Sequence, residues 1–152
     1  WDEGGPKKAF EMAIKNSNKV AMSLSDLFCV ERHKKYFLDL VKNKLDLVFA
    51  NEGEIISLID AKNFDEVISF GKEIKKHLVI TRGEKGAISI HKNEIEEIDA
   101  KKNLKVVDLT GAGDLFASGY LHGFINNFSQ KECLIKATEM SSKIIQQIGA
   151  RF

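Results

Sequence analysis

Short apolar runs alternate along this chain with stretches whose apolar residues recur at helical spacing, and that alternation narrows the possible folds most. Residues 45–50 (LDLVFA) and His77–Thr81 (HLVIT) read as strands buried on both faces, and residues 19–23 (KVAMS) as a shorter one. Around them lie amphipathic segments. Residues 7–16, entered by Pro6, carry Ala9, Phe10, Ala13 and Ile14 on one face, and residues 30–42 carry Tyr36, Phe37, Leu40 and Val41. Residues 55–59 predict a short helix. A capping box of Asn63 and Glu66 opens a helix over 65–75, and one of Ser129 and Glu132 opens a helix over 130–147. Residues 87–91 and 94–98 alternate across Lys92-Asn93 as a hairpin does, after a turn at 82–86. Helices interleaved with buried strands predict an α/β fold of three layers, a mostly parallel sheet with helices on both faces and a mixed edge at the hairpin. The 152 residues suffice for one domain with a real core, and no internal repeat or linker divides them.

Composition removes several classes of function. With 23 Lys plus Arg against 22 Asp plus Glu, a net charge of +1 gives no reason to expect nucleic acid or an anionic membrane as a partner. Cys29 and Cys133 are too few and too far apart for a disulfide framework or a zinc site, so reduced thiols and a cytoplasmic location are expected. No apolar run approaches the roughly 20 residues of a membrane span. The four histidines, at unrelated spacings, receive no metal role. The opening Trp1-Asp2-Glu3-Gly4-Gly5-Pro6, without an initiator Met, reads as the start of a fragment.

The segment with the most chemistry is VVDLTGAGDLFASGYLHGF, residues 106–124. A short strand over 105–108 is predicted to run into a glycine turn at Thr110-Gly111-Ala112-Gly113, with a helix over 114–126. Glycines let the backbone come close to a ligand, and the free N–H groups of a first helical turn favour an anion. Asp114 at the mouth of such a site has two readings. It is a favourable first-turn helix charge, or a general base that takes the proton from an attacking hydroxyl while the adjacent N–H groups hold the transferred phosphoryl group. A dinucleotide fingerprint fails because Phe116 stands where a third glycine is required, and no Gly-Lys-Ser/Thr supplies a P-loop.

DLTGAGDLFASGYL, beginning at Asp108, resembles the second signature of the PfkB family, the ribokinase-like sugar and nucleoside kinases. Only Leu109 departs mildly, where Thr is commoner. SLSDLFCVERHKKYF (residues 23–37) and VFANEGEI (residues 48–55) look like the adenosine-kinase-like bacterial branch. VITRGEKGA (residues 79–87) is similar to the family's ATP-site strand and turn, and QQIGAR (residues 146–151) to its cation-binding loop. Family members are about twice as long. The resemblance therefore implies that residues 1–152 are the C-terminal, ATP-binding and catalytic part of one ribokinase-like domain. The N-terminal half and its lid are absent, so the piece alone is expected to be inactive, and to aggregate or form a homodimer through an exposed sheet edge.

The resemblance also implies roles. Asp114 becomes the catalytic base, with Gly111, Ala112 and Gly113 as the anion hole. Asn51 and Glu54 match an Asn-x-x-Glu motif that organises Mg²⁺ and phosphate through water, and the bland alternative is a capped helix with a first-turn acid. Thr81, Gly83 and Gly86 match the ATP-site turn, and adenine is expected near Ala137 and Ser141. Asp108 and Thr110, with the backbone of Ile144, Gln147 and Gly149, match a monovalent-cation site, which implies K⁺ activation. The implied reaction is transfer of the γ-phosphate of ATP to a hydroxyl of a small-molecule acceptor of the adenosine, ribose or fructose class. The other reading is a nucleotide-binding fragment or a non-catalytic PfkB-like protein.

Overall fold

The apolar stretch around residue 47 becomes a strand because its side chains are covered on both faces. From Leu47 to Ala50 every residue is buried in the computed structural model, which describes residues 4–151. Trp1 to Glu3, the odd opening, lie outside the described residues. In chain order the elements are α1 (Gly5–Asn16), β1 (Ala21–Ser23), α2 (Leu27–Asp39), β2 (Leu47–Asn51), α3 (Glu52–Ile59) and α4 (Phe64–Ile74). They are followed by β3 (His77–Thr81), β4 (Ala87–His91), β5 (Glu94–Ile98), α5 (Ala112–Ile125) and α6 (Gln130–Ile144). One sheet of five strands, in the order β1-β2-β3-β4-β5, gives the three-layer α/β class that the alternation predicts. Two compact units divide the described residues. One runs to Ile80 and takes in Ile90–Glu94; the other comprises Thr81–Ser89 and everything from Ile95 on.

In the first unit β1 and β2 are parallel, with Ala21 opposite Leu47, Met22 opposite Val48 and Ser23 opposite Phe49. Asp46, the one acid in the apolar run, earns its place by accepting the Val20 N–H at 2.9 Å. β2 passes directly into α3, whose capping box is complete. The cap of α4 is half a box: Asn63 accepts from Glu66 N–H at 3.1 Å, but the Glu66 carboxylate takes the Lys62 N–H instead. α2 starts three residues earlier than the periodicity predicts. Asp26 caps it, accepting the Cys29 N–H at 2.8 Å, and so brings Leu27 and Phe28 into the helix. Beyond Asp39 the helix widens into one π-turn, Leu40–Lys44, closed by Leu45 N–H to Leu40 C=O. Helix α1 buries no residue fully, although its apolar positions predict a covered stripe.

In the second unit the turn after β3 is a single 3₁₀ turn, Gly83–Lys85, fastened by Arg82 N–H to Gly86 C=O at 2.8 Å. Lys92, which counts with the first unit, turns the two-residue loop after β4 at φ 57°, and β5 is an edge strand without a buried residue. The strand predicted over 105–108 does not form. Its alternation suits a strand, but its amides find no ladder: the N–H groups of Val107 and Asp108 both point to the Ile145 carbonyl, and Val106 and Val107 stay exposed. α5 and α6 pack backbone to backbone. A Cβ at Gly119 would sit 2.7 Å from the Lys136 carbonyl oxygen, and one at Gly123 2.8 Å from Cys133 Sγ. The last helix ends at Ile144 rather than 147. Both cysteines are free, and no described helix is long and apolar enough to cross a membrane.

Candidate functional site

Gly111 adopts φ 78°, the left-handed conformation, and caps α5 without a side chain. Its α-carbon lies against Ala150, so that a Cβ there would come within 2.6 Å of the alanine methyl. The helix begins at Ala112, two residues before the start that the sequence suggests, which makes Asp114 its third residue. Ala112 donates its N–H to Leu109 C=O at 3.1 Å, so that expected member of an anion hole is already engaged. Among the described residues the amides of Gly111, Gly113 and Asp114 have no acceptor.

Third helical positions elsewhere in the chain show what a structural acid does there. Glu54 reaches back to the Asn51 N–H at 2.9 Å, and Glu132 to the Ser129 N–H at 2.8 Å. Asp114 does not reach back. Its carboxylate is exposed and, among the described residues, accepts no hydrogen bond; only its main-chain carbonyl is used, by Ser118 Oγ. A first-turn charge still favours the helix dipole, but the cap that would make Asp114 merely structural is missing.

Asp108 holds the preceding loop. Its Oδ1 accepts the Thr110 N–H at 2.9 Å and the Thr110 hydroxyl at 2.7 Å, and its Oδ2 accepts the Gly149 N–H at 2.9 Å. These donors, Gly149 first, pull the Asp108 carboxyl below its ordinary range. Gln147 donates to the Arg151 carbonyl, and the Ile144 carbonyl accepts the Gln147 N–H. Asp108, Thr110 and Gly149 are thus tied together by one set of hydrogen bonds, and Ile144, Gln147 and Arg151 by another.

Gly86 is buried at φ 89° and ψ −137°, with a would-be Cβ 1.9 Å from the Ile98 carbonyl oxygen. Packing alone therefore demands glycine there. Gly83, at φ 58°, is exposed, and Thr81 is half-buried at the end of β3. Ala137 is fully buried beneath Gly119, whereas Ser141 is half-buried and retains some surface.

Asn51 and Glu54 lie in the first unit and bond only to each other in the cap: Asn51 Nδ2 donates to Glu54 Oε1 at 2.7 Å, and Glu54 N–H to Asn51 Oδ1 at 2.8 Å. Glu54 is 4% exposed. Burial raises its carboxyl above the ordinary range against the pull of the Asn51 N–H, and the Asp26 carboxylate raises it further. The Glu54 carboxylate and the Asn51 amide offer hard oxygen donors of the kind a divalent cation such as magnesium takes. Among the described residues no cluster of three or more His, Cys, Asp or Glu is placed to hold a metal by itself.

The family model described as pfkB family carbohydrate kinase matches residues 6–152. The chain belongs to the PfkB family. It is 31% identical over 113 residues to a cytidine kinase of Thermococcus kodakarensis, covering 72% of this chain and 40% of that one. To a ribokinase of Lactococcus lactis it is 32% identical over 107 residues, 70% of this chain and 34% of the other. Among solved structures the adenosine kinase from Sinorhizobium meliloti superposes with a TM-score of 0.88 at 34% identity, covering 96% of this chain and 45% of that one. This PfkB chain therefore spans less than half the length of these relatives, and its architecture is the ribokinase-like one that the resemblance implied.

Proposed function

We propose that this chain is the nucleotide-binding, catalytic part of a kinase that moves the γ-phosphate of ATP to a hydroxyl of a sugar or nucleoside. The observation that carries the reading is Asp114: an exposed carboxylate without a partner among the described residues, in the first turn of a helix where the amides of Gly111, Gly113 and Asp114 also lack acceptors. A carboxylate so placed takes a proton from an acceptor hydroxyl, and amides beside it stabilise charge on the transferred group. Gly111, Gly113 and Asp114 supply those amides, with Ala112 serving as the first helical residue. Kinship with nucleoside and sugar kinases supports ATP as donor and Mg²⁺ as cofactor. Asn51 and Glu54 would hold the magnesium shell, which neutralises phosphate charge when bound. Thr81, Gly83, Gly86 and Ser141 belong to the nucleotide's surroundings in this reading, and the Asp108–Gly149 cluster to a potassium site.

The test uses the complete reading frame with ATP, Mg²⁺ and K⁺ against adenosine, cytidine, ribose and fructose. Transfer to one acceptor is expected, and Asp114→Asn is expected to lower it by about 10²–10⁴-fold while nucleotide binding persists. Nucleotide binding with no transfer to any acceptor, or transfer indifferent to Asp114→Asn, would leave only a nucleotide-binding protein.

A further inference from the structure

One buried hydroxyl in the second unit receives both terminal helices. Ser89, on β4 between Ile88 and Ile90, has no exposed surface. Its Oγ lies 2.8 Å from Tyr120 Oη on α5 and 2.8 Å from Gln130 Oε1, at the first residue of α6. The carbonyl oxygen of Gln130 cannot donate, so the single Ser89 proton goes to it. The Tyr120 phenol must then donate to Ser89, giving a directed chain Tyr120 → Ser89 → Gln130. Tyr120 is fully buried, and burial pushes its phenol up to about 12, so it holds its proton throughout the physiological range.

Hydroxyls in an apolar core are costly unless bonded, and an alanine at 89 with a phenylalanine at 120 would fill much the same space more cheaply. What the polar version adds is direction: hydrogen bonds fix a register that apolar contacts leave free to slide. The parts it fixes are those of the proposed reaction. Ser89 lies three residues beyond Gly86, where the 82–86 turn closes. Tyr120 lies six residues along the same rigid helix from Asp114.

We propose that Ser89 and Tyr120 are positioning residues, which set where α5 presents Asp114 relative to the 82–86 turn. This rests on the kinase reading above. Misplacement of a reacting group by about 1 Å can cost on the order of 10²-fold in rate, so loss of either bond should act on the chemical step.

The experiment measures kcat, and KM for ATP and for the acceptor, in the complete reading frame carrying Ser89→Ala, Tyr120→Phe and both together, beside Asp114→Asn. Thermal unfolding is followed in each. Each single variant is expected to lose about tenfold in kcat with KM for the acceptor unchanged, and the double variant to lose no more than either single, because one chain is broken in all three. If Ser89→Ala fails to fold, Tyr120→Phe, which removes one oxygen, carries the test. Parental kcat per folded molecule in the variants, with only a lower unfolding temperature, would make the node core packing and end the proposal. Additive losses in the double variant would end it too. Collapse in Asp114→Asn beside unaffected node variants refutes the positioning alone, whereas an indifferent Asp114→Asn refutes the kinase reading itself.

Discussion

Burial holds the Glu54 carboxyl above the ordinary carboxylate range, and Asp26 pushes the same way. A carboxyl whose folded value is raised disfavours the folded state while charged, and the penalty fades as pH falls through that raised value. Glu54→Gln removes the charge and keeps an oxygen for one of the two Asn51 donors. At pH 8 without magnesium it should therefore be more stable than the parent by about 1 kcal/mol, with the gap closing toward acid, while transfer activity falls. Urea midpoints at several pH values check this, and a less stable variant at pH 8 would show that the cap outweighs the charge. His77 gives the opposite profile. Burial lowers it to about 4 from 6.5, helped by His91, stacked 3.8 Å away, and by Lys19 and Lys92, against the opposing Asp46. The unfolded chain then binds a proton that the folded chain refuses, so stability is lost as pH falls from 6.5 toward 4. His77→Phe keeps a ring in the stack and should flatten that part of the curve.

At the level of elements, the seam between α5 and α6 offers the sharpest stability test. Gly119→Ala drives a methyl to 2.7 Å from the Lys136 carbonyl oxygen and 2.8 Å from the Ala137 α-carbon, both backbone atoms that cannot turn aside. A loss of about 2–4 kcal/mol is expected in chemical denaturation, against the gain that alanine usually brings inside a helix. Much at this scale was legible in the letters. Pro6, the Ser129–Glu132 box and the Lys92-Asn93 turn are local signals, and local signals decide where elements begin. The start of α2 was missed because Asp26 caps two apolar residues that lie off the main stripe. The 105–108 strand was wrongly expected because alternation describes a side-chain pattern and says nothing of whether a neighbouring strand exists to accept the N–H groups. For the candidate site, the glycine loop and Asp114 were visible as a motif. The engagement of Ala112 by Leu109 and the burial of Ala137 were not, since both depend on how the backbone packs.

For the molecule as a whole, Leu109 at 67%, Ile125 at 72% and Ile148 at 85% exposure leave considerable apolar surface uncovered in the second unit. Sedimentation velocity across a hundredfold range of concentration should show this 152-residue chain self-associating, and a clean monomer throughout would contradict that expectation. The charged β5 edge, with Glu94, Glu96 and Glu97, disfavours strand-to-strand pairing there, so helical and loop surfaces are the expected contacts. The buried phenol of Tyr120 has an optical consequence as well. The chain has two tyrosines, and the other, Tyr36, is only half-buried and raised less. In an alkaline titration the ultraviolet phenolate band should grow in two separate steps. The first belongs to Tyr36. The second appears when the Ser89 node lets go of its proton donor, so the colour of a single ring reports the opening of the unit that carries Asp114, with no label attached.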